Sequence, residues 1–332
     1  MEYTTLGRTG LKVSRLVLGT MNFGPRTSEA DADHIMDRAR ELGINFFDTA
    51  NVYGRSKTNP AGHAGWTEEI VGRWFAQGDG RRESTVLATK VYGRMDDSTY
   101  GPNDPAGISA YKIKRSLNDS LRRLQTDHID LLQMHHIDHH INWDEIFGAY
   151  EAAIAQGKVV YAGSSNFGAR HLAFAAAHAH DRHFLGLVAE QHKYNLLTRL
   201  PELELLPTVK DLGMGLIIWS PLESGQLAEN ILHPTDLTGR RAEQSKHLSA
   251  ARREQLTRFE QLCQNLGETQ STVALAWLLH NPVVTAPIIG PRTIEQLESA
   301  VHALDVHLSA DVLAELDDIF PPVGAAPEAY AW

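Results

Sequence analysis

Short apolar runs without alternation recur along the chain, and between them lie longer segments in which apolar residues return every three or four positions. A run of four to seven residues with no polar face reads as a strand covered on both sides, and the three-to-four spacing reads as an amphipathic helix. On this reading strands occupy 16–20 (L-V-L-G-T), 45–50 (N-F-F-D-T-A), 85–90, 129–135, 159–166, 187–191, 215–220 and 284–290. Ile35, Ala39 and Leu42 share one helical face, with Thr27 or Ser28 as the cap and Gly43 as the stop. Helices are also predicted over 67–75, around Ile113, Leu117, Leu121 and Leu124, from Trp143 through Ile146, Tyr150 and Ile154 to a stop near Gly157, and over the Ala-rich 167–179.

Eight strands alternating with helices, with no break in composition, favour a closed parallel (α/β)8 barrel, the TIM-barrel architecture, over a doubly wound sheet. No G-x-G-x-x-G follows the first strand, which removes the usual support for a dinucleotide fold of the doubly wound kind. The chain therefore reads as one domain over 1–332. Residues 3–14 alternate around Gly7 and Gly10 and suggest a hairpin ahead of the barrel, and 309–320 suggest a helix after it. The tail 321–332 is expected to be irregular because of the Pro321-Pro322 pair, with Tyr330 and Trp332 within reach of the barrel mouth. Excursions at about 55–66, 92–107 and 223–247 exceed ordinary loop length, and in a barrel such loops shape the substrate mouth.

Composition narrows the class of partner. The formal charge of −10 over 332 residues, with no long Lys/Arg block, argues against a nucleic-acid or acidic-membrane surface. Cys263 is the only cysteine, so an internal disulfide is impossible and a reducing compartment fits best. No apolar run approaches the length of a membrane span and the first residues lack the apolar core of a signal peptide, so a cytoplasmic protein is expected. The sequence leaves a homo-oligomer open.

Strand ends carry the candidate chemistry. The strand over 45–50 runs into a loop bearing Asp48 and Tyr53; T-V-L-A-T-K closes on Lys90; I-D-L-L-Q-M-H closes on His135. A buried Lys90 needs an acid, and Asp48 lies on the adjacent strand. An ammonium nearby favours the phenolate and is expected to pull the Tyr53 pKa down, while an imidazole within hydrogen-bond reach orients the proton. Such a set protonates a developing alkoxide, as carbonyl reduction by hydride requires. Taken singly, a strand-end Asp or Tyr more often caps or packs. The joint pattern is harder to dismiss, although His136, His139 and His140 crowd the imidazole.

From L-G-R-T-G-L-K-V-S to Q-L-E-S-A the chain resembles the aldo-keto reductase superfamily, with D-T-A-N-V-Y-G and Q-M-H-H-I-D as the most specific stretches. The resemblance implies a barrel whose floor is closed by the hairpin, a catalytic tetrad of Asp48, Tyr53, Lys90 and His135, and NADPH-dependent reduction of an aldehyde or ketone with Tyr53 as general acid. It implies further that Ser165 and Asn166 of G-S-S-N-F, together with Gln191, hold the nicotinamide carboxamide. Trp219 of W-S-P-L-E-S-G would stack on the ring, and Ser220, Leu222 and Ser224 would line the pyrophosphate. In I-I-G-P-R-T-I-E-Q-L-E-S-A, Gly290, Arg292 and Gln296 fall in the adenosine-phosphate clamp, and Thr20 is carried over as a further cofactor contact. Arg292 suits a 2′-phosphate, which favours NADPH with NADH as second choice. Where the family commonly places an acid and an Asn for the adenine amine, this chain has Ser299 and Ala300.

Two rival readings stand beside this one. One is an NADPH-binding regulatory or sensing barrel with little turnover; the other is a metal-dependent hydrolase using the 135–140 histidine run. The second is disfavoured because barrel metal sites draw ligands from several strand ends and adjacent residues point in different directions. No metal is expected. The partner is a small-molecule carbonyl substrate. Phe23, Trp66 and the tail aromatics suggest a partly apolar mouth for an aromatic carbonyl, and the loop His and Asn residues would suit a sugar-like one.

Overall fold

In the computed structural model, which describes residues 1–57, 59–234 and 244–331, the chain opens with two short antiparallel strands, β1 (Tyr3–Thr5) and β2 (Lys12–Ser14). Eight parallel strands follow: β3 (Val17–Gly19), β4 (Phe46–Asp48), β5 (Val86–Val91), β6 (Ile129–Met134), β7 (Val159–Ser165), β8 (Leu187–Lys193), β9 (Gly215–Trp219) and β10 (Val284–Ile289). They close in chain order, with β10 returning to pair with β3. The sheet therefore has no edge, and the ring of strands is covered outside by helices, which is why the strands read as apolar runs. The (α/β)8 barrel expected from the sequence is the fold observed.

The helices begin where the sequence offers caps. Ser28 accepts the Asp31 N–H at the start of α1 (Glu29–Glu41), so Ser28 and not Thr27 is the cap. Between β4 and β5 runs α2 (Trp66–Ala76), and after β5 comes α3 (Ala110–Leu124), capped by Ser109. The next helices are α4 (Trp143–Ala155), capped by Asn142, and α5 (Ala169–Asp181). Short α6 (Leu205–Asp211) follows β8, and longer helices cover 250–266, 270–280, 294–302 and Ala310–Ile319.

Two cores result from the period-two alternation of the strands. The inner one gathers Val17, Phe46, Ala88, Leu131, Ala189, Ile217 and Ala286 inside the barrel. The outer one packs the other strand faces, such as Phe47, Leu132 and Ile218, against the helices. Leu6 and Val13 of the hairpin belong to the inner core, so the hairpin stoppers the barrel at the N-terminal ends of the strands. At Gly7 the backbone is left-handed (φ 54°) and a Cβ would sit 2.5 Å from the Gly215 nitrogen. Only glycine lets the hairpin turn come that close. Arg8 completes the seal, its N–H donating to the Gly213 carbonyl at 2.7 Å and its guanidinium to the carbonyls of Leu212 and Leu185.

The tail departs from expectation. Residues 321–325 are irregular, as the Pro pair dictates, but a last helical turn forms at Glu328–Ala331. Pro327 stands just before it, a position where its missing N–H costs a helix nothing. Ala326 N–H donates to the Leu203 carbonyl, which ties the tail to the loop after β8, while Tyr330 stays exposed. Trp332, Thr58 and residues 235–243 of the third excursion lie outside the described residues.

Candidate active site

Inward-facing positions continue up each strand in steps of two, and this places the site. From Phe46 the next inward residue is Asp48; from Ala88 it is Lys90; from Leu131 the series runs to Gln133 and then His135. Ala189 leads to Gln191 and Ile217 to Trp219. All lie at the C-terminal ends of the strands, the face where barrels carry their chemistry.

Lys90 is fully buried and its Nζ has three oxygen partners: Asp48 Oδ2 at 2.5 Å, the Thr49 carbonyl at 2.9 Å and Tyr53 Oη at 3.2 Å. The same ammonium lies 4.9 Å from the centroid of the Tyr53 ring. Burial lowers the Lys90 pKa, but Asp48 and Tyr53 together more than offset it, and the net direction is up. The lysine stays charged. For Tyr53 the balance falls the other way: burial raises the phenol pKa by more than Lys90 lowers it. The sequence-based expectation of a depressed phenol is thus corrected, because losing water around the phenolate outweighs one ammonium that is already paired with Asp48. The Tyr53 ring keeps partial exposure at the mouth, so it remains reachable.

His135 approaches Tyr53 edge-on, with ring centroids 5.9 Å apart, and makes no hydrogen bond to it. Burial, with Lys90 adding repulsion, lowers its pKa to about 2. The imidazole is neutral at any working pH. A sign follows for stability. An unfolded His takes a proton near pH 6.5 and the folded one resists it, so the His135 contribution is intact above about 6.5 and is lost progressively as pH falls toward about 2. Thermal melts of His135→Asn should therefore lose less stability than the parent between about pH 7 and pH 5, where other groups act equally on both. Equal acid sensitivity would contradict a neutral, half-buried His135.

The backbone around Tyr53 is held by the first excursion. Gly65 N–H donates to the Tyr53 carbonyl at 3.0 Å, at the point where α2 begins. His63 stacks on Trp66 with centroids 6.1 Å apart. Arg55 crosses to the second excursion and pairs with Asp96 at 2.9 Å, so the two loops close one side of the mouth together. Phe23 does not line that mouth: it is fully buried in the outer core.

The residues assigned to a cofactor fall into two groups. Ser165, Asn166, Gln191 and Trp219 are brought against the tetrad. Asn166 Nδ2 donates to the His135 carbonyl and to Ser165 Oγ, each at 3.0 Å, and Trp219 Nε1 donates to Asn166 Oδ1 at 3.0 Å. Gln191 Nε2 donates to Asp48 Oδ1 at 2.7 Å, while its Oε1 takes no protein donor among the described residues. Thr20 is also near, but its hydroxyl is spent on the Asp48 carbonyl at 3.0 Å. The second group lies further out. Ser220, Glu223 and Ser224 all have left-handed backbone, with Ser224 N–H donating to Ser220 Oγ at 3.1 Å. Within this turn the N–H groups of Glu223, Gly225, Gln226 and Leu227 also donate to carbonyls of Ser220, Leu222, Glu223 and Leu222, so the turn is closed on itself. Leu222 packs on the outer core between them. At the start of the helix 294–302, Thr293 accepts the Gln296 N–H, and Gln296 Oε1 accepts the Arg292 N–H at 2.9 Å. Gln296 is a cap partner here. The Arg292 side chain is exposed and pairs with no carboxylate among the described residues. Gly290 offers its carbonyl to Asn22 Nδ2 at 3.0 Å. Ala300 is buried in the outer core and has no group to offer an adenine; Ser299 is exposed.

The amides gathered around Asp48, with the Trp219 ring beside Asn166, fit a nicotinamide carboxamide. The polar atoms left over, Gln191 Oε1 and the Arg292 guanidinium, are the acceptor and cation that a carboxamide and a phosphate need. A metal fits less well. His135 and His136 stack in parallel with centroids 5.2 Å apart, His136 meets Tyr92 edge-to-face, and His139 packs against His171, so the rings of the run are engaged with aromatic neighbours. Among the described residues no three metal-ligating side chains converge.

Two functional positions escaped the sequence reading. Gln133 Nε2 donates to Asp48 Oδ1 at 3.1 Å from deep in the barrel. Its signal was its place two residues before His135, an amide among the apolar residues Leu131, Leu132 and Met134. Glu190, on the outer strand face and fully buried, accepts from Ser164 Oγ at 2.5 Å and from the Phe167 N–H at 2.9 Å, gripping both sides of the turn that holds Ser165 and Asn166.

The closed barrel with its lysine-centred site has the form of one family of oxidoreductases, and the comparison with known proteins agrees. The chain belongs to the aldo/keto reductase family, whose model matches residues 15–320. It is 56% identical, over the full length of both chains, to "Uncharacterized oxidoreductase YrpG" of Bacillus subtilis. It is 31% identical to "Aldo-keto reductase AMT2" of Alternaria alternata, with 97% of this chain and 93% of the relative covered. It is also 30% identical, over 99% of this chain and all of the relative, to "Probable voltage-gated potassium channel subunit beta" of Arabidopsis thaliana. Family and relatives together indicate an enzyme of carbonyl reduction. No helix among the described residues is long and apolar enough to cross a membrane.

Proposed function

We propose that the whole chain forms one catalytic domain, a cytoplasmic aldo-keto reductase that reduces a small aldehyde or ketone with NADPH. The observation that carries this reading is the buried Lys90 ammonium, held at 2.5 Å by Asp48 and reaching Tyr53 Oη at 3.2 Å. When bound, the reduced nicotinamide supplies hydride to the carbonyl carbon. Tyr53, whose raised pKa keeps its proton on the phenol, gives that proton up only when the far more basic alkoxide develops. Lys90 then stands beside the phenolate and stabilises it. Neutral His135 offers the carbonyl oxygen a hydrogen bond without bringing a second cation to Lys90. Ser165, Asn166 and Gln191 would hold the carboxamide, with Gln191 Oε1 as the open acceptor, and Trp219 would supply the stacking face. The turn with Ser220, Leu222 and Ser224 would take the pyrophosphate.

Arg292, with Gly290 and Gln296 at the helix start, would grip the 2′-phosphate, which makes NADPH the preferred donor over NADH. Fluorescence titration of the six tryptophans tests this. Arg292→Ala should weaken NADPH binding by about tenfold, the worth of one charge-assisted contact, and leave NADH binding unchanged. Equal weakening of both nucleotides would remove the 2′-phosphate role.

A second reading has one specific support, the full-length match to a relative named for a potassium-channel subunit. In that case the site would bind NADPH and turn over little.

A further inference from the structure

We propose that Gln133 is a positioning residue that locks Asp48 and Gln191 into one hydrogen-bonded unit, so that the side chain offered to the nicotinamide carboxamide and the acid holding Lys90 move together. This rests on the reading of the site given above. Asp48 Oδ2 is taken by Lys90, and Oδ1 receives both Gln133 Nε2 at 3.1 Å and Gln191 Nε2 at 2.7 Å. Gln191 Nε2 also reaches Gln133 Oε1 at 3.3 Å, which closes a triangle. Both amides are buried, Gln133 completely. A buried amide is costly unless paired, and a leucine would fill the same volume with no such cost. Here the partners that repay the amide are both site residues.

The barrel makes room for this unit. β7 lies between the strands that carry the two glutamines, and opposite Gln133 it presents Gly163. A Cβ at Gly163 would stand 3.2 Å from Gln133 Cγ and 3.0 Å from Leu131 Cδ1, so a side chain there would press on the bridge. Ser165, two residues on, pairs in register with Gln191. With Nε2 pinned twice, Gln191 has its amide plane fixed and its Oε1 left over. The charged and titratable groups facing this unit are Asp48 from β4, Lys90 from β5, Tyr53 from the loop beyond β4, and His135 from the end of the strand that carries Gln133. The carboxylate of Glu190 is turned to the outer face, where it holds Ser164 and Phe167.

The test is the pH dependence of NADPH-dependent carbonyl reduction by the full chain and by Gln133→Glu, Gln133→Leu and Gly163→Ala. An ionised carboxylate at this position repels Asp48 and donates nothing, whereas its protonated form donates again. For Gln133→Glu we expect kcat/KM to fall at least tenfold near pH 8 and to recover to within about threefold near pH 5, a pH trend the parent lacks. Gln133→Leu should raise the KM for NADPH by about tenfold at every pH. Gly163→Ala, which leaves all polar groups in place, should raise that KM in the same direction. Variants that melt at lower temperature yet keep the parent KM and pH profile would overturn the inference and leave Gln133 as packing alone. If instead the parent chain showed no NADPH turnover with any carbonyl, the reading of the site would fall, and this inference with it.

Discussion

Replacing Tyr53 with Phe should abolish carbonyl reduction while sparing the nucleotide site. Among the described residues the hydroxyl is the only protic side-chain group at the mouth that Lys90 touches, at 3.2 Å, and its loss removes the acid but not the ring. General-acid loss costs about 10²- to 10⁴-fold, so kcat/KM should fall by about three orders of magnitude. NADPH affinity should stay within about twofold, since none of the groups assigned to the nucleotide bonds to Tyr53 Oη. The phenol pKa sharpens the expectation. Because burial holds it above its ordinary value, the parent enzyme should not lose activity through Tyr53 ionisation anywhere near neutral pH. Near-parental turnover in Tyr53→Phe would mean that another group, or water, delivers the proton.

Removing Lys90 should damage stability as well as chemistry. Asp48 is almost fully buried, and among the described residues its other oxygen is served only by two neutral amides. In Lys90→Met the carboxylate is stranded, which typically costs about 3–5 kcal/mol. The double replacement Asp48→Asn with Lys90→Met removes both charges, and should recover most of that loss in denaturant melts while remaining inactive. This separation distinguishes the two roles of the pair. If the single variant were as stable as the parent, Asp48 would have another source of compensation that the described residues do not contain.

How far these results were legible in the sequence depends on distance along the chain. The strands were readable because each is an uninterrupted apolar run covered on both sides: the run expected over 85–90 is found at Val86–Val91, and that over 159–166 at Val159–Ser165. A cap at Thr27 or Ser28 was readable because a cap is a local signal, and the structure settles it on Ser28. Asp48, Tyr53, Lys90 and His135 stood out because they close consecutive strands. The bridge through Gln133 was not, since its partners lie 85 and 58 residues away and meet it only across the inside of a closed ring. The direction of the Tyr53 pKa was missed for a related reason. The ammonium was visible in the sequence, whereas the depth of burial that outweighs it belongs to the assembled barrel. Phe23 shows the converse error, an aromatic assigned to the mouth that folding turned into the core.

The relative named as a channel subunit and the one named as an oxidoreductase both match this chain over at least 99% of its length, so family membership alone does not choose between turnover and sensing. The most direct test is a single-turnover experiment. The full chain, loaded with an equimolar amount of NADPH, is mixed rapidly with a panel of aromatic, aliphatic and sugar aldehydes and ketones, and with buffer alone. Oxidation of the bound nucleotide within seconds, only in the presence of a carbonyl and with one alcohol formed per NADPH consumed, is the result expected from a Tyr53 acid poised on Lys90. NADPH that stays bound and reduced against every carbonyl would contradict it and leave a nucleotide-sensing barrel.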